Sequence, residues 1–82
     1  MNPTLRITER ISLDAVTLGV KIFLPPNTRL EIVQANDEFV ALESVHTGVR
    51  YSLGRPAYDD YLAAGALRFE NSQLLAVVNA VN

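Results

Sequence analysis

The chain has 82 residues, of which 49% are hydrophobic and 20% charged, with seven basic residues, nine acidic residues and no cysteine. This length predicts a single domain, residues 1–82, and the high apolar fraction excludes an intrinsically disordered chain. Without cysteine there are no disulfides and no thiolate metal sites. The slight acidic excess disfavours nucleic acid as a partner, because phosphate contacts supply much of the affinity of nucleic-acid-binding proteins.

The distribution of apolar residues gives no sign of a membrane protein. No apolar run approaches the roughly 20 residues that a spanning helix needs. The first ten residues, MNPTLRITER, alternate polar and apolar side chains and lack the apolar stretch of a signal peptide. We therefore expect a cytoplasmic protein with no membrane contact.

The N-terminal third predicts two strands. Residues 4–13 (TLRITERISL) alternate polar and apolar positions, with Glu9 out of phase, which is typical of a half-buried strand. Asp14 and Ala15 then predict a turn. Residues 16–24 alternate again and predict a second, more central strand. Its inward residues would be Val16, Leu18, Val20, Ile22 and Leu24.

Three further strands are predicted after Pro25 and Pro26, which cannot continue a ladder. They cover residues 29–34, 39–44 and 49–53, and Val40 and Leu42 would point inward in the second of them. The last two strands are joined by the loop His46-Thr47-Gly48. Gly48 is expected to take the left-handed conformation that such a loop requires.

A short helix follows near residues 56–64. Pro56 suits its first turn, Tyr58, Tyr61 and Leu62 share its inner face, and Gly65 would end it. The tail LLAVVNAV, residues 74–81, is a buried strand or a helix capped by Ser72, and we favour the strand. The predicted fold is mainly β: a small antiparallel barrel or two packed sheets, with one short helix.

The pattern of residues 24–67 can be written L-x-x-x-T-R-L-x-I, then V-x-L, then T-G-x-x-Y-x-L, then Y-x-x-x-L-x-x-G-x-L. It resembles the small five-stranded barrel of the Src-homology-3 type, in particular the accessory barrels of integrase-type transposases and other mobile-element proteins. The resemblance implies a platform for protein or nucleic-acid contacts and not a catalytic unit. It carries over no functional residue, and residues 1–23 lie outside it.

The residues with catalytic chemistry do not form a catalytic pattern. His46 is the only histidine and falls on a predicted turn, where we expect it to be exposed. Asp59 and Asp60 are consecutive on the predicted helix, so their carboxylates diverge by about 100° and do not form a pair. Near the start of the helix, they are more simply explained by a favourable interaction with the helix dipole. Glu9 is more simply explained by a bulge, an edge position or an ion pair. We expect no catalytic, cofactor-binding or metal-binding residues and no cofactor, and hence no enzyme.

Exposed apolar residues point to a protein partner. Phe23 and Phe39 are out of phase with their strands, and with Val33 they predict an interface patch. Residues 77–81 (VVNAV) are suited to add an edge strand to a partner or to a second copy, which would make a homodimer. The predicted function is therefore a non-catalytic protein-interaction module, an accessory or inhibitory protein of a phage or mobile element.

A nucleic-acid-binding accessory barrel is the alternative function. Scattered arginines would have to converge on one face to contact phosphates. The candidate residues are Arg6, Arg10, Arg29, Arg50 and Arg55.

Overall fold

A computed structural model describes residues 2–16 and 18–70, which form seven strands and one helix. The strands are β1 (Thr4–Ile7), β2 (Ile11–Ala15), β3 (Val20–Leu24), β4 (Arg29–Ala35), β5 (Phe39–Ser44), β6 (Arg50–Gly54) and β7 (Leu67–Phe69), and helix α1 is Arg55–Ala64. The predicted fold class is confirmed: the chain is mainly β with one short helix. The predicted strand over 74–81 lies outside the described residues.

All seven strands belong to one antiparallel sheet in the order β3-β2-β6-β5-β4-β1-β7. Of the two architectures that the sequence left open, this excludes two separate sheets for the described strands. The hydrogen-bonded order ends at β3 on one side and at β7 on the other.

The sheet must be strongly curled, because β1 and β2 are close in sequence and distant in strand order. Four strand spacings separate them, which is about 19 Å in a flat sheet. Only residues 8–10 connect Ile7 to Ile11, and four extended residues reach at most about 14 Å. The described strands therefore form an open, barrel-like sheet with the core on its concave face.

Alternating residues of β1, β2, β5 and β6 supply most of this core. Leu5, Leu30, Val40 and Leu42 are fully buried, and Tyr58 of α1 belongs to the same buried cluster. The inward positions predicted for β5 are confirmed. No buried side-chain polar atom of the described residues lacks a hydrogen-bond partner, as is usual for a well-packed core.

The single strand predicted over 4–13 is wrong, because the chain breaks at residues 8–10 to cross from one end of the sheet to the other. Glu9, which was out of phase, lies exposed in this break. The turn predicted at Asp14 and Ala15 is also wrong, since both residues belong to β2. The actual turn begins at Val16, and Gly19 within it has a φ of 69°.

The two local turns of the central strands follow their side-chain chemistry. The Asn36 side-chain oxygen accepts hydrogen bonds from the backbone N–H groups of Glu38 and Phe39, at 2.8 and 2.9 Å, and fixes the β4–β5 turn. At the β5–β6 turn Gly48 has a φ of 73°, which confirms the predicted left-handed position. A β-bulge at Val33 shifts the register of β4 against β5.

Helix α1 begins one residue before the predicted start and ends at the predicted residue. Pro56 lies in its first turn, and Gly65 adopts the left-handed conformation with a φ of 78°. The N–H groups of Gly65 and Ala66 donate to the carbonyls of Leu62 and Tyr61, the two bonds of a Schellman motif. Tyr61 and Leu62 are half-buried against the core.

Candidate interaction surface

Exposed apolar side chains concentrate on the hairpin formed by β2 and β3. Six large apolar residues of the described chain are exposed, and four of them lie on this hairpin. We call these four the hairpin surface: Val16, Leu18, Val20 and Phe23, which are 57%, 67%, 52% and 59% exposed. Clustered apolar exposure of this kind marks an interaction site more often than single exposed residues do.

The hairpin surface extends from the tip of the hairpin along β3 and is divided between the two faces of the sheet. Val20 lies opposite Ala15 and Phe23 opposite Ser12 in the ladder. These pairs alternate between the two faces, because successive residues of a strand point to opposite sides. Leu18 lies in the turn between the strands. A partner that buried all of these residues would therefore have to meet the tip or the edge of the hairpin.

Strand β3 presents a free edge within the described part of the chain. Its only strand neighbour there is β2. The Ser12 backbone groups face away from β3, toward the Tyr61 hydroxyl, so Ser12 and Phe23 form a pair without mutual hydrogen bonds. The N–H and C=O of Phe23, and those of Lys21 two residues earlier, consequently point outward from the sheet. Four backbone groups are thus available to a further strand.

Few of the usual protections of an edge strand are present on β3. Its sequence is VKIFL, with Lys21 as its one charged residue, no proline and no bulge. The Arg10 guanidinium lies over the Phe23 ring, 4.3 Å from its centroid, but Phe23 remains 59% exposed. Within the described part of the chain, the edge is therefore both apolar and accessible.

The three predicted interface residues are not brought together along the sheet. Phe23 is exposed on β3, as predicted, whereas Val33 and Phe39 are half-buried on β4 and β5. Strands β2 and β6 lie between β3 and β5. Val33 occupies the β-bulge, and Phe39 lies opposite Gly54 on β6. Of the predicted patch, Phe23 alone belongs to the hairpin surface.

The predicted arginines do not converge on one face. Arg50 pairs with Glu43 at 3.6 Å, and Arg55 pairs with Asp59 at 3.2 Å on the helix. Arg10 is the residue that lies over Phe23 on the hairpin.

Arg6 and Arg29 are the two predicted arginines that come together, and the ladder places them directly opposite each other on β1 and β4. Arg68, which the sequence did not single out, lies opposite Arg6 on the other side. Glu70 binds Arg6 and also Arg29, whose Nε lies 2.6 Å from the carboxylate. The hydrogen bond from Arg29, together with Arg6, holds the pKa of Glu70 below its usual value.

The other candidate polar residues lie apart on the surface. His46 is exposed on the β5–β6 turn, and Asp59 and Asp60 are exposed on α1. Among residues 2–16 and 18–70, no group of three His, Cys, Asp or Glu side chains could hold a metal ion.

The described part of the chain contains no helix that is long and apolar enough to cross a membrane.

Sequence reasoning missed most of the hairpin surface because it assigned Val16, Leu18 and Val20 to the core of one long strand. Gly19 was the available signal: a glycine inside an alternating pattern often marks a turn or bulge. Its left-handed conformation shortens the strand and leaves the apolar residues before it at the tip.

Comparison of the chain with protein-family models, with curated proteins and with solved structures finds no match, so these comparisons assign it to no family.

Proposed function

We propose that this chain is a non-catalytic protein-interaction module that binds its partner through the β2–β3 hairpin. The observation that carries the proposal is the hairpin surface, where four large apolar residues are more than half exposed beside a strand edge that has no partner strand among residues 2–16 and 18–70. Burial of exposed apolar side chains favours association at about 25 cal/mol per Å² before the entropic costs of binding. A protein surface is the partner that supplies both apolar contacts and backbone hydrogen bonds.

The role as an accessory or inhibitory protein of a phage or mobile element belongs to the same proposal. Its support is the resemblance of residues 24–67 to the accessory barrels of mobile-element proteins. The curled sheet closed by a short helix is compatible with such a barrel.

Photo-cross-linking tests the proposed surface. Leu18→benzoylphenylalanine places the probe at the hairpin tip, and Val45→benzoylphenylalanine is the matched control, an exposed apolar position on the β5–β6 turn. In extracts of the source cells we expect an adduct with a polypeptide from position 18 and not from position 45. Excess wild-type chain should compete, and the Leu18→Ser, Phe23→Ser double variant should not. Equal adducts from both positions, or none from position 18, would contradict the proposal.

A nucleic-acid-binding barrel is the rival function, and the register of Arg29, Arg6 and Arg68 across three strands is the observation in its favour. Glu70 counts against it, because its carboxylate already binds two of these arginines. A gel shift with DNA or RNA at low salt that weakens steeply as salt rises would support this function. Loss of that shift in Arg6→Ala, but not in Arg50→Ala, would place the contact on the three-arginine row.

A further inference from the structure

We infer that the edge of β3 pairs with the β3 strand of a second copy of this chain, in antiparallel register about a twofold axis at Ile22. The inference rests on the proposed function and names one partner of the hairpin. It concerns the edge of β3, whereas the residues at the tip, Val16 and Leu18, remain available to a different protein.

The backbone of this edge is complementary to itself. The outward N–H and C=O groups belong to Lys21 and Phe23, because the pairing with β2 directs those of Val20, Ile22 and Leu24 toward β2. A twofold axis at Ile22 places Lys21 of one copy opposite Phe23 of the other. These two residues then exchange both hydrogen bonds, as a hydrogen-bonded antiparallel pair does. The second, symmetry-related pair does the same, so all four outward groups of each copy are satisfied.

The side chains fit the same register. Ile22 meets its own copy, and Val20 meets Leu24 of the other copy, on the face of the sheet that holds the core. On the outer face Lys21 meets Phe23, so no like charges lie directly opposite each other. Apolar side chains that pack against each other across two paired strands stabilise the sheet.

The sequence on either side limits the pairing to β3. Continuing the register would place Pro25 opposite Gly19 of the second copy. Pro25 has no N–H, and the Gly19 N–H already donates to the Ala15 carbonyl at 2.8 Å. The ladder between the two copies therefore ends at Val20 and Leu24, which is the full length of β3.

The other terminal strand of the sheet lacks this self-complementarity. A symmetric pairing through β7, whose residues are Leu67, Arg68 and Phe69, would place Arg68 opposite its own copy. Like charges directly opposite each other destabilise an antiparallel pair. Charge therefore selects β3, and not β7, for association with a second copy.

An engineered cysteine tests the register, because the natural chain contains none. Two residues that face each other in a pair without mutual hydrogen bonds have Cα atoms about 4.5 Å apart, within the range that a disulfide spans. Ile22→Cys should form a disulfide-linked dimer under mild oxidation. The control Val45→Cys, exposed on a distant turn, should stay monomeric. Equal cross-linking of both variants, or none of Ile22→Cys, would overturn the inference.

Charge exchange at position 23 tests the same register without a covalent bond. Phe23→Lys places a lysine opposite Lys21 of the other copy. Analytical ultracentrifugation of the full chain should then show a dimer dissociation constant that is raised about tenfold or more. Phe23→Glu, which replaces the same exposed ring, should retain the dimer. The triple variant Asp14→Asn, Lys21→Glu, Phe23→Lys should restore it, with Asp14→Asn removing the like charge that would lie opposite position 21 in the same chain. Circular dichroism checks that each variant folds.

Each alternative occupant gives a different result. A chain that stays monomeric at all concentrations overturns the inference, and the proposed function still stands if position 18 cross-links to a different protein. A dimer that Val78→Asp dissociates and Phe23→Lys does not would assign the contact to the C-terminal residues, against the inference. If Phe23→Lys and Phe23→Glu weaken the dimer equally, the Phe23 ring contributes to the contact but does not lie opposite Lys21, and the proposed register is wrong.

Discussion

At the scale of single residues, Glu70 offsets a repulsion that the sheet register creates. Arg6 and Arg29 lie directly opposite each other on β1 and β4, an arrangement of like charges that disfavours the pair. The carboxylate of Glu70 binds both, and its side chain is only 16% exposed. One acidic residue at the end of β7 therefore connects three strands of the sheet.

Glu70→Gln should lower the free energy of unfolding by about 0.5–1 kcal/mol near neutral pH, because it removes two partly screened ion pairs. The pKa of Glu70 is lowered in the folded state by the hydrogen bond from Arg29, so its contribution is present above the ordinary carboxyl pKa. That contribution is lost as the pH falls through the lowered value.

Urea unfolding of wild type and Glu70→Gln across a pH series measures this effect. The difference between the two proteins should narrow as the pH falls from about 7 to about 3. Asp59→Asn is the control, since it removes one exposed ion pair on the helix and should cost no more than about 0.5 kcal/mol. A difference for Glu70→Gln that is constant with pH would show that the carboxylate charge is not its cause.

At the scale of elements, Tyr61 attaches the helix to a strand whose ladder is incomplete. Strand β2 pairs with β6 only through Asp14 and Ala15, so the backbone of Ser12 has no strand partner on that side. The Ser12 N–H donates to the Tyr61 hydroxyl at 3.3 Å, and this hydroxyl donates to the Ser12 carbonyl at 3.5 Å. The helix thereby supplies hydrogen bonds where β2 and β6 diverge.

Tyr61→Phe should therefore destabilise the fold by about 1 kcal/mol, because a partly buried backbone group loses its side-chain partner. Tyr58→Phe is the matched control on the same helix. Tyr58 is more deeply buried and its pKa is raised by that burial, but its hydroxyl makes no hydrogen bond with another described residue. Its removal should change the free energy of unfolding by no more than about 0.5 kcal/mol. Thermal or urea unfolding gives both values, and an equal effect of the two substitutions would contradict this role of Tyr61.

At the scale of the whole molecule, the curled sheet has room for only part of its apolar residues. Leu13 and Leu18 belong to the same hairpin, but Leu13 is 1% exposed and Leu18 is 67% exposed. The concave face ends before the turn, so the hairpin extends beyond the core.

We expect Leu13→Ala to cost about 2–5 kcal/mol, as large-to-small changes in a closed core do. Leu18→Ser should stay within about 0.5 kcal/mol of the wild type in free energy of unfolding. Denaturant unfolding at low protein concentration separates the change in the free energy of unfolding from any effect on association. A loss of more than about 1 kcal/mol in Leu18→Ser would mean that the tip packs within its own chain, against the proposed function.

The sequence by itself determined the features that depend on near neighbours. Alternation placed Val40 and Leu42 inward, and the conformational freedom of glycine located the left-handed position at Gly48 and the helix end at Gly65. These follow from local sterics and the two-residue period of a strand, which act within a few residues of sequence. The mainly β fold with one short helix followed from the same patterns.

Only the tertiary structure decided the strand order, the break at residues 8–10 and the exposure of the hairpin. Alternation shows that two faces of a strand differ, but it does not show whether a core lies beneath the apolar face. Val16, Leu18 and Val20 satisfy the pattern and yet extend past the concave face of the curled sheet. The contacts of Glu70 and Tyr61 likewise join residues more than 40 positions apart, which no local pattern encodes. Burial and register are set by the whole sheet, and they created the surface proposed for binding.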